Sequence, residues 1–174
     1  VSGHGECVDM LLKYGADPNV CDARGRSALY IAVTNSDVLS TRLLLRYSAD
    51  HTANTGGDSL LSMACLNACP GTLENLLNSG CDVNAESEVP ALIAATARAN
   101  PDCVDLLLNA GAEVDVLDKK GQSPLHIAVM TVIDIDKDLY FAKYFSNVYR
   151  QRAKHDPMEL DPENSTKCAM SLVQ

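Results

Sequence analysis

The sequence predicts an all-α solenoid of helix-turn-helix units joined by short β-hairpin-like turns. Three observations predict it. Leucine pairs recur at Leu11-Leu12, Leu44-Leu45, Leu76-Leu77 and Leu107-Leu108, 31 to 33 residues apart. Behind each pair a helix terminator stands in register: Gly15-Ala16-Asp17, Ser48-Ala49-Asp50, Gly80-Cys81-Asp82 and Gly111-Ala112-Glu113. A second series of small residues, Ala32, Ala64, Ala95 and Ala128, keeps nearly the same period. Two interleaved series of one period require one pair of helices per unit, and self-similarity at this length marks a repeat array.

The composition fits. The 174 residues are 47% hydrophobic but only 5% aromatic, with no Trp. That mixture suits short, close-packed helices better than a sandwich with a large aromatic core. The formal net charge of −9 argues against nucleic acid or an anionic membrane as a default partner. Seven cysteines lack a disulfide-framework spacing. Cys7, Cys65, Cys103 and Cys168 fall in apolar helical runs and are read as small buried thiols. A reducing intracellular compartment follows, the cytoplasm ahead of the nucleus. No apolar run approaches the ~20 residues needed to span a bilayer, so membrane insertion is not expected, and no signal-peptide pattern is seen. Asn164-Ser165-Thr166 is read as a chance glycosylation match.

The clearest copy of the unit runs from Cys103 to Val129. Val104, Leu107 and Leu108 form a helical stripe that ends at Gly111, a residue suited to a left-handed helix stop. A polar turn, Asp115 to Gly121, follows. Ser123 then caps a new helix, with Pro124 at its first position and Leu125, Ile127 and Ala128 restarting the apolar pattern. With Gly121 to Ala128 (GQSPLHIA) behind Leu108 to Ala112 (LNAGA), the unit resembles the ankyrin repeat, a module of roughly 33 residues holding a turn and two antiparallel helices. The likeness covers Gly3 to about Val129 and resumes at the last residues.

The copies depart from that pattern in particular ways. Residues 1–21 are a partial unit, with Gly3-His4 as the link and Cys7 to Tyr14 as an outer helix. Residues 22–53 form a complete unit in which Ala28 and Tyr30 replace Pro and His, and Ser48 replaces Gly. A non-Gly residue held left-handed costs on the order of 1 kcal/mol. Residues 54–86 are the third unit. Residues 87–117 are the fourth, with a shortened turn, Glu88 in place of the hairpin Gly and Pro90 in place of the capping Thr. The fifth, 118–174, is interrupted at about 134–165. Asp138 to Lys154 can form an amphipathic helix there, and His155 to Ser165 reads as loop. Only Cys168 to Gln174 then resembles Cys103 to Asn109. The two ends read as cuts within repeats of a longer array, leaving apolar faces that favour association.

A two-helix unit cannot cover its own apolar stripe, so neighbours must cover it, with the leucine pairs filling the layers between units. The family's inner-helix His is understood to bond backbone in adjacent turns. His126 is its one copy here, so that polar link is expected to be largely absent. The resemblance implies a protein–protein interaction module that grips a partner protein with its hairpin tips and its concave inner-helix face. Transferred to this sequence, those positions are Ala23, Arg24, Arg26, Thr34 and Asn35; Thr55, Gly56, Asp58, Leu66 and Asn67; Ser87, Val89, Ala97 and Arg98; and Lys119, Lys120, Gln122, Met130 and Thr131.

Other chemistry finds little support. Cys65 and Cys69, or His4 and Cys7, lack the second pair a zinc site needs. There is no phosphate loop, G-x-S-x-G or H-E-x-x-H. The basic run Lys143, Arg150, Arg152 and Lys154, interleaved with aromatics, is read as a solvated helix face. No enzyme, cofactor, metal, nucleic-acid or small-molecule role is expected. The alternative reading places function in the insertion at about 134–165, gating the groove as part of a larger protein such as a ubiquitin-ligase substrate adaptor.

Overall fold

A computed structural model describes residues 3–52 and 59–133. The expected sites Thr55, Gly56 and Asp58 lie outside them, as do the expected helix from Asp138, the loop from His155 and the segment from Cys168. Among the described residues there are eight helices: α1 (Gly3–Lys13), α2 (Ala28–Thr34), α3 (Val38–Arg46), α4 (Leu60–Leu66), α5 (Pro70–Asn78), α6 (Ala91–Ala97), α7 (Pro101–Asn109) and α8 (Pro124–Ile133). Among the described residues the only bridge of β type is Cys21 with Ser27, closing the turn before α2. Helices pair within units as α2 with α3, α4 with α5 and α6 with α7. Between units, α1, α3, α5 and α7 form an outer row, while α2, α4, α6 and α8 form an inner one. This is the all-α solenoid the period predicts.

Local chemistry explains where each helix starts and stops. Ser27, Asp37, Ser59 and Asn100 cap α2, α3, α4 and α7 by accepting a backbone N–H from the third residue on. Pro70 and Pro101 open α5 and α7, where no N–H is needed. Outer helices stop at Gly15, Ser48, Gly80 and Gly111, all with positive φ, so Ser48 adopts the left-handed conformation its register demands. Inner helices end on a second series of left-handed residues, Ser36, Ala68 and Ala99, and here no glycine relieves the strain.

The core lies between the two rows. Leu29, Ala32 and Val33 of α2 are buried, as are Leu60 to Cys65 in α4 and Ala91 to Ala95 in α6. The leucine pairs divide their labour. Leu44, Leu76 and Leu107 are fully covered, whereas Leu45 and Leu77 are half-buried and Leu108 is exposed. In α1 the order reverses: Leu12 is buried against the next unit, while Leu11 is exposed because no described inner helix packs on it. Cys7 is exposed for the same reason, contrary to the expected buried thiol. Cys65 and Cys103 are buried, and their mutual hydrogen bond and burial push the Cys65 thiol far above its usual range.

The first helix also begins earlier than expected. It includes Gly3-His4, which reads in sequence as a link, and its Gly5 packs so closely on Leu39 that a Cβ there would clash with Leu39 Cδ2. Glycine lets the outer helices α1 and α3 approach there.

Candidate protein-binding surface

The turns ahead of α2 and α8 share one geometry. Asp22 Oδ1 accepts from the N–H groups of Arg24 and Arg26, both at 2.9 Å. Asp118 Oδ1 accepts from those of Lys120 and Gln122, both at 2.8 Å. Gly25 and Gly121 supply the positive φ that closes each turn. These bonds hold the Asp22 carboxyl below its ordinary range, the backbone bond to Arg26 contributing most. The tips therefore present Ala23, Arg24, Lys119 and Lys120 to solvent. Arg26 is half-buried and its Nε donates to Asp22 at 2.8 Å. Lys119 reaches back to Glu88 at 2.6 Å.

The turn ahead of α6 differs. It lacks the Asp and Gly, and Val89 folds inward to 6% exposure. Its carbonyl accepts from Ser62 Oγ at 2.7 Å and Ser87 Oγ at 2.8 Å. Val89 is thus part of the core rather than of a tip, and Ser87, half-buried, holds it there. Ser62 stands where the family carries His, and its hydroxyl supplies the polar link between units that the sequence reading took to be missing at this position. His126 makes no such link among the described residues; its Nδ1 lies 2.7 Å from the Oγ of its own cap, Ser123.

Along the inner row, Asn35 and Met130 are exposed, and Thr34, Leu66 and Arg98 are half-buried. Ala97, at 4% exposure, is core: a methyl group at the end of α6 does not reach past its neighbours. Asn67 is half-buried and engaged, its Nδ2 donating to the carbonyls of Val33 at 3.3 Å and Thr34 at 3.1 Å. It satisfies the open C-terminal carbonyls of α2. Gln122 is half-buried with its Nε2 3.3 Å from Met130 Sδ. Thr131 lies in α8, and its side chain is outside the described residues.

Asparagines at the unit boundaries do work that sequence reasoning missed. Asn19 Oδ1 accepts from the Asp50 N–H at 2.7 Å, and Asn84 Oδ1 accepts from that of Glu113 at 3.0 Å. Asn84 Nδ2 also donates to the Gly111 carbonyl at 3.2 Å. Asp17 and Asp82 hold these asparagines in place by accepting their N–H groups. The recurrence of Asn two positions after Asp was the available signal.

The family model of ankyrin repeats in three copies matches residues 1–87 and 61–145. This chain belongs to the ankyrin-repeat family. Ankyrin repeats are protein–protein interaction modules, so the fold assigns the general role. Relatives carry the segment in different settings. The chain is 34% identical over 136 residues to Nuclear factor NF-kappa-B p105 subunit of Gallus gallus, covering 74% of this chain and 14% of that protein. It is 37% identical over 127 residues to Neurogenic locus notch homolog protein 1 of Mus musculus, covering 70% and 5%. With Potassium channel AKT2/3 of Arabidopsis thaliana it shares 33% over 114 residues, 64% of this chain and 14% of the channel. The chain thus spans a small part of each relative, and their names have no single activity in common. No described helix is long and apolar enough to cross a membrane.

Proposed function

We propose that this chain is a non-catalytic recognition segment that holds a partner protein against its turn tips and the inner-helix ends beside them. The proposed surface comprises Ala23, Arg24, Thr34 and Asn35 at one end and Lys119, Lys120, Gln122 and Met130 at the other. What supports the reading is that two well-formed turns carry Ala23, Arg24, Lys119, Lys120 and Gln122 on Asp-anchored backbones, with Thr34, Asn35 and Met130 on the inner helices that follow. A partner would meet them at little cost in ordering. Leu66 and Arg98 contribute partial exposure between the ends. Val89, Ala97 and Asn67 are left out, because packing or internal hydrogen bonds already use them. The repeat division at 22–53, 54–86 and 87–117, an intracellular location and the absence of a nucleic-acid or small-molecule ligand belong to the same proposal. The gating role considered for 134–165 concerns residues outside those described, and no observation favours it.

Site-specific photo-crosslinking in cells tests this reading. A photoreactive residue at Asn35, Lys120 or Met130 should give a discrete adduct with one partner protein. The same residue at Glu74 or Asn109, exposed on outer helices, should not. Equal adducts from the outer helices would refute the assignment of the surface.

A further inference from the structure

The retracted turn ahead of α6 leaves a cleft of about 320 Å³ between itself and the residues that lead into the next turn. Pro90, Leu92, Val116 and Leu117 give it apolar walls, and Glu86 and Glu113, both solvent-exposed, also line it. Its size is at the small end of ligand pockets, suited to one long side chain. The cleft is braced on both sides. Asn84 ties the two walls together through Glu113 N–H and the Gly111 carbonyl. The Lys119–Glu88 ion pair ties the retracted turn to the next one. Neither Glu86 nor Glu113 is bonded through its carboxylate to a basic group among the described residues. Lys119 is paired with Glu88.

We infer that this cleft receives an arginine side chain of the partner protein, its aliphatic stem on Leu117 and Val116 and its guanidinium between the carboxylates of Glu86 and Glu113. The inference deepens the proposed function by naming a feature of the partner, and rests on it. Arginine matches the lining better than an apolar residue, which would leave the two exposed acids without a partner. A planar guanidinium also presents donors to two acids at once, which a lysine ammonium does with less geometric selectivity. A net charge of −9 adds attraction for a basic segment without directing it to this place. The placement comes from the cleft.

The test uses the full chain and two small probes, N-acetyl-arginine amide and its uncharged isostere N-acetyl-citrulline amide, followed by amide NMR shifts. The arginine probe should shift residues 83–92 and 112–117 saturably, and the citrulline probe should not. Glu86→Gln and Glu113→Gln should each weaken that binding about two- to five-fold, the upper range of an exposed ion pair, with unchanged helical circular dichroism. The double variant should weaken it by about the product of the two, roughly four- to twenty-five-fold. Equal shifts from both probes, shifts spread over the acidic surface, or binding unchanged by the double variant would overturn the inference. Crosslinks at Asn35 and Met130 that persist in the double variant would show that the cleft alone was misassigned, not the wider surface.

Discussion

Replacing Ser36, Ala68 and Ala99 together by glycine is expected to stabilise the array. The three residues sit at the inner-to-outer helix links with φ of 55°, 51° and 50°, where a Cβ crowds the following carbonyl. That crowding costs roughly 1 kcal/mol per residue. Glycine removes it but gives back about 0.5 kcal/mol each through a freer unfolded chain. The net gain is therefore about 0.5 kcal/mol per site, or about 1.5 kcal/mol for three distant, independent sites. Little else changes. Ala99 is exposed, and the carbonyls of Ser36 and Ala68, which accept from Cys69 Sγ and Asn100 Nδ2, are backbone groups that glycine keeps. Urea unfolding followed by far-ultraviolet circular dichroism reads the effect, and with a slope of about 2 kcal/mol per molar the midpoint should rise by about 0.7 M. Ala110→Gly is the control, at an exposed position with φ of −83°, and should lower the midpoint. A triple variant that falls as the control does would refute the strain account.

Three further outcomes are expected. Thr41 is fully buried and its Oγ1 has no hydrogen-bond partner among the described residues, so Thr41→Val should raise stability by about 1 kcal/mol in the same denaturation assay. Ser62→Ala should cost about 1 kcal/mol, because Ser87 still serves the Val89 carbonyl; adding Ser87→Ala orphans that carbonyl and should cost more than the two single changes combined. Asp37 caps α3, and its bonds from the Ser40 hydroxyl and N–H lower its pKa below the ordinary 3.8. Its contribution is therefore complete above pH 3.8 and is lost as pH falls through the lowered folded value. Asp37→Ala should cost about 1 kcal/mol near neutral pH, with the gap to the parent chain closing in acid, as denaturation midpoints across pH 2 to 7 would record.

Much of this protein follows from local rules that a chain carries in one dimension. Period, helix pairing and family are legible because each unit restates them, with Ala at the tight crossing and leucine on the outer helix. The left-handed stop at Ser48 is legible because its neighbours in register, Gly15, Gly80 and Gly111, announce the geometry. Part of the candidate surface is legible too: Ala23, Arg24, Lys119 and Lys120 are exposed tips because Asp22 and Asp118 fold identical turns from sequences only five residues long.

What only tertiary structure decided involves partners that are distant along the chain. Val89 turns inward because Ser62, 27 residues earlier, offers its carbonyl a buried hydroxyl. Asn67, half-buried, has its amide engaged by carbonyls 33 and 34 residues behind it. Leu11 and Leu12 exchange roles because the burial of each depends on which neighbouring helix is there to cover it. A position in a repeat fixes which way a side chain leaves its helix; the adjoining unit determines whether that direction leads to solvent, to a bond or into the core.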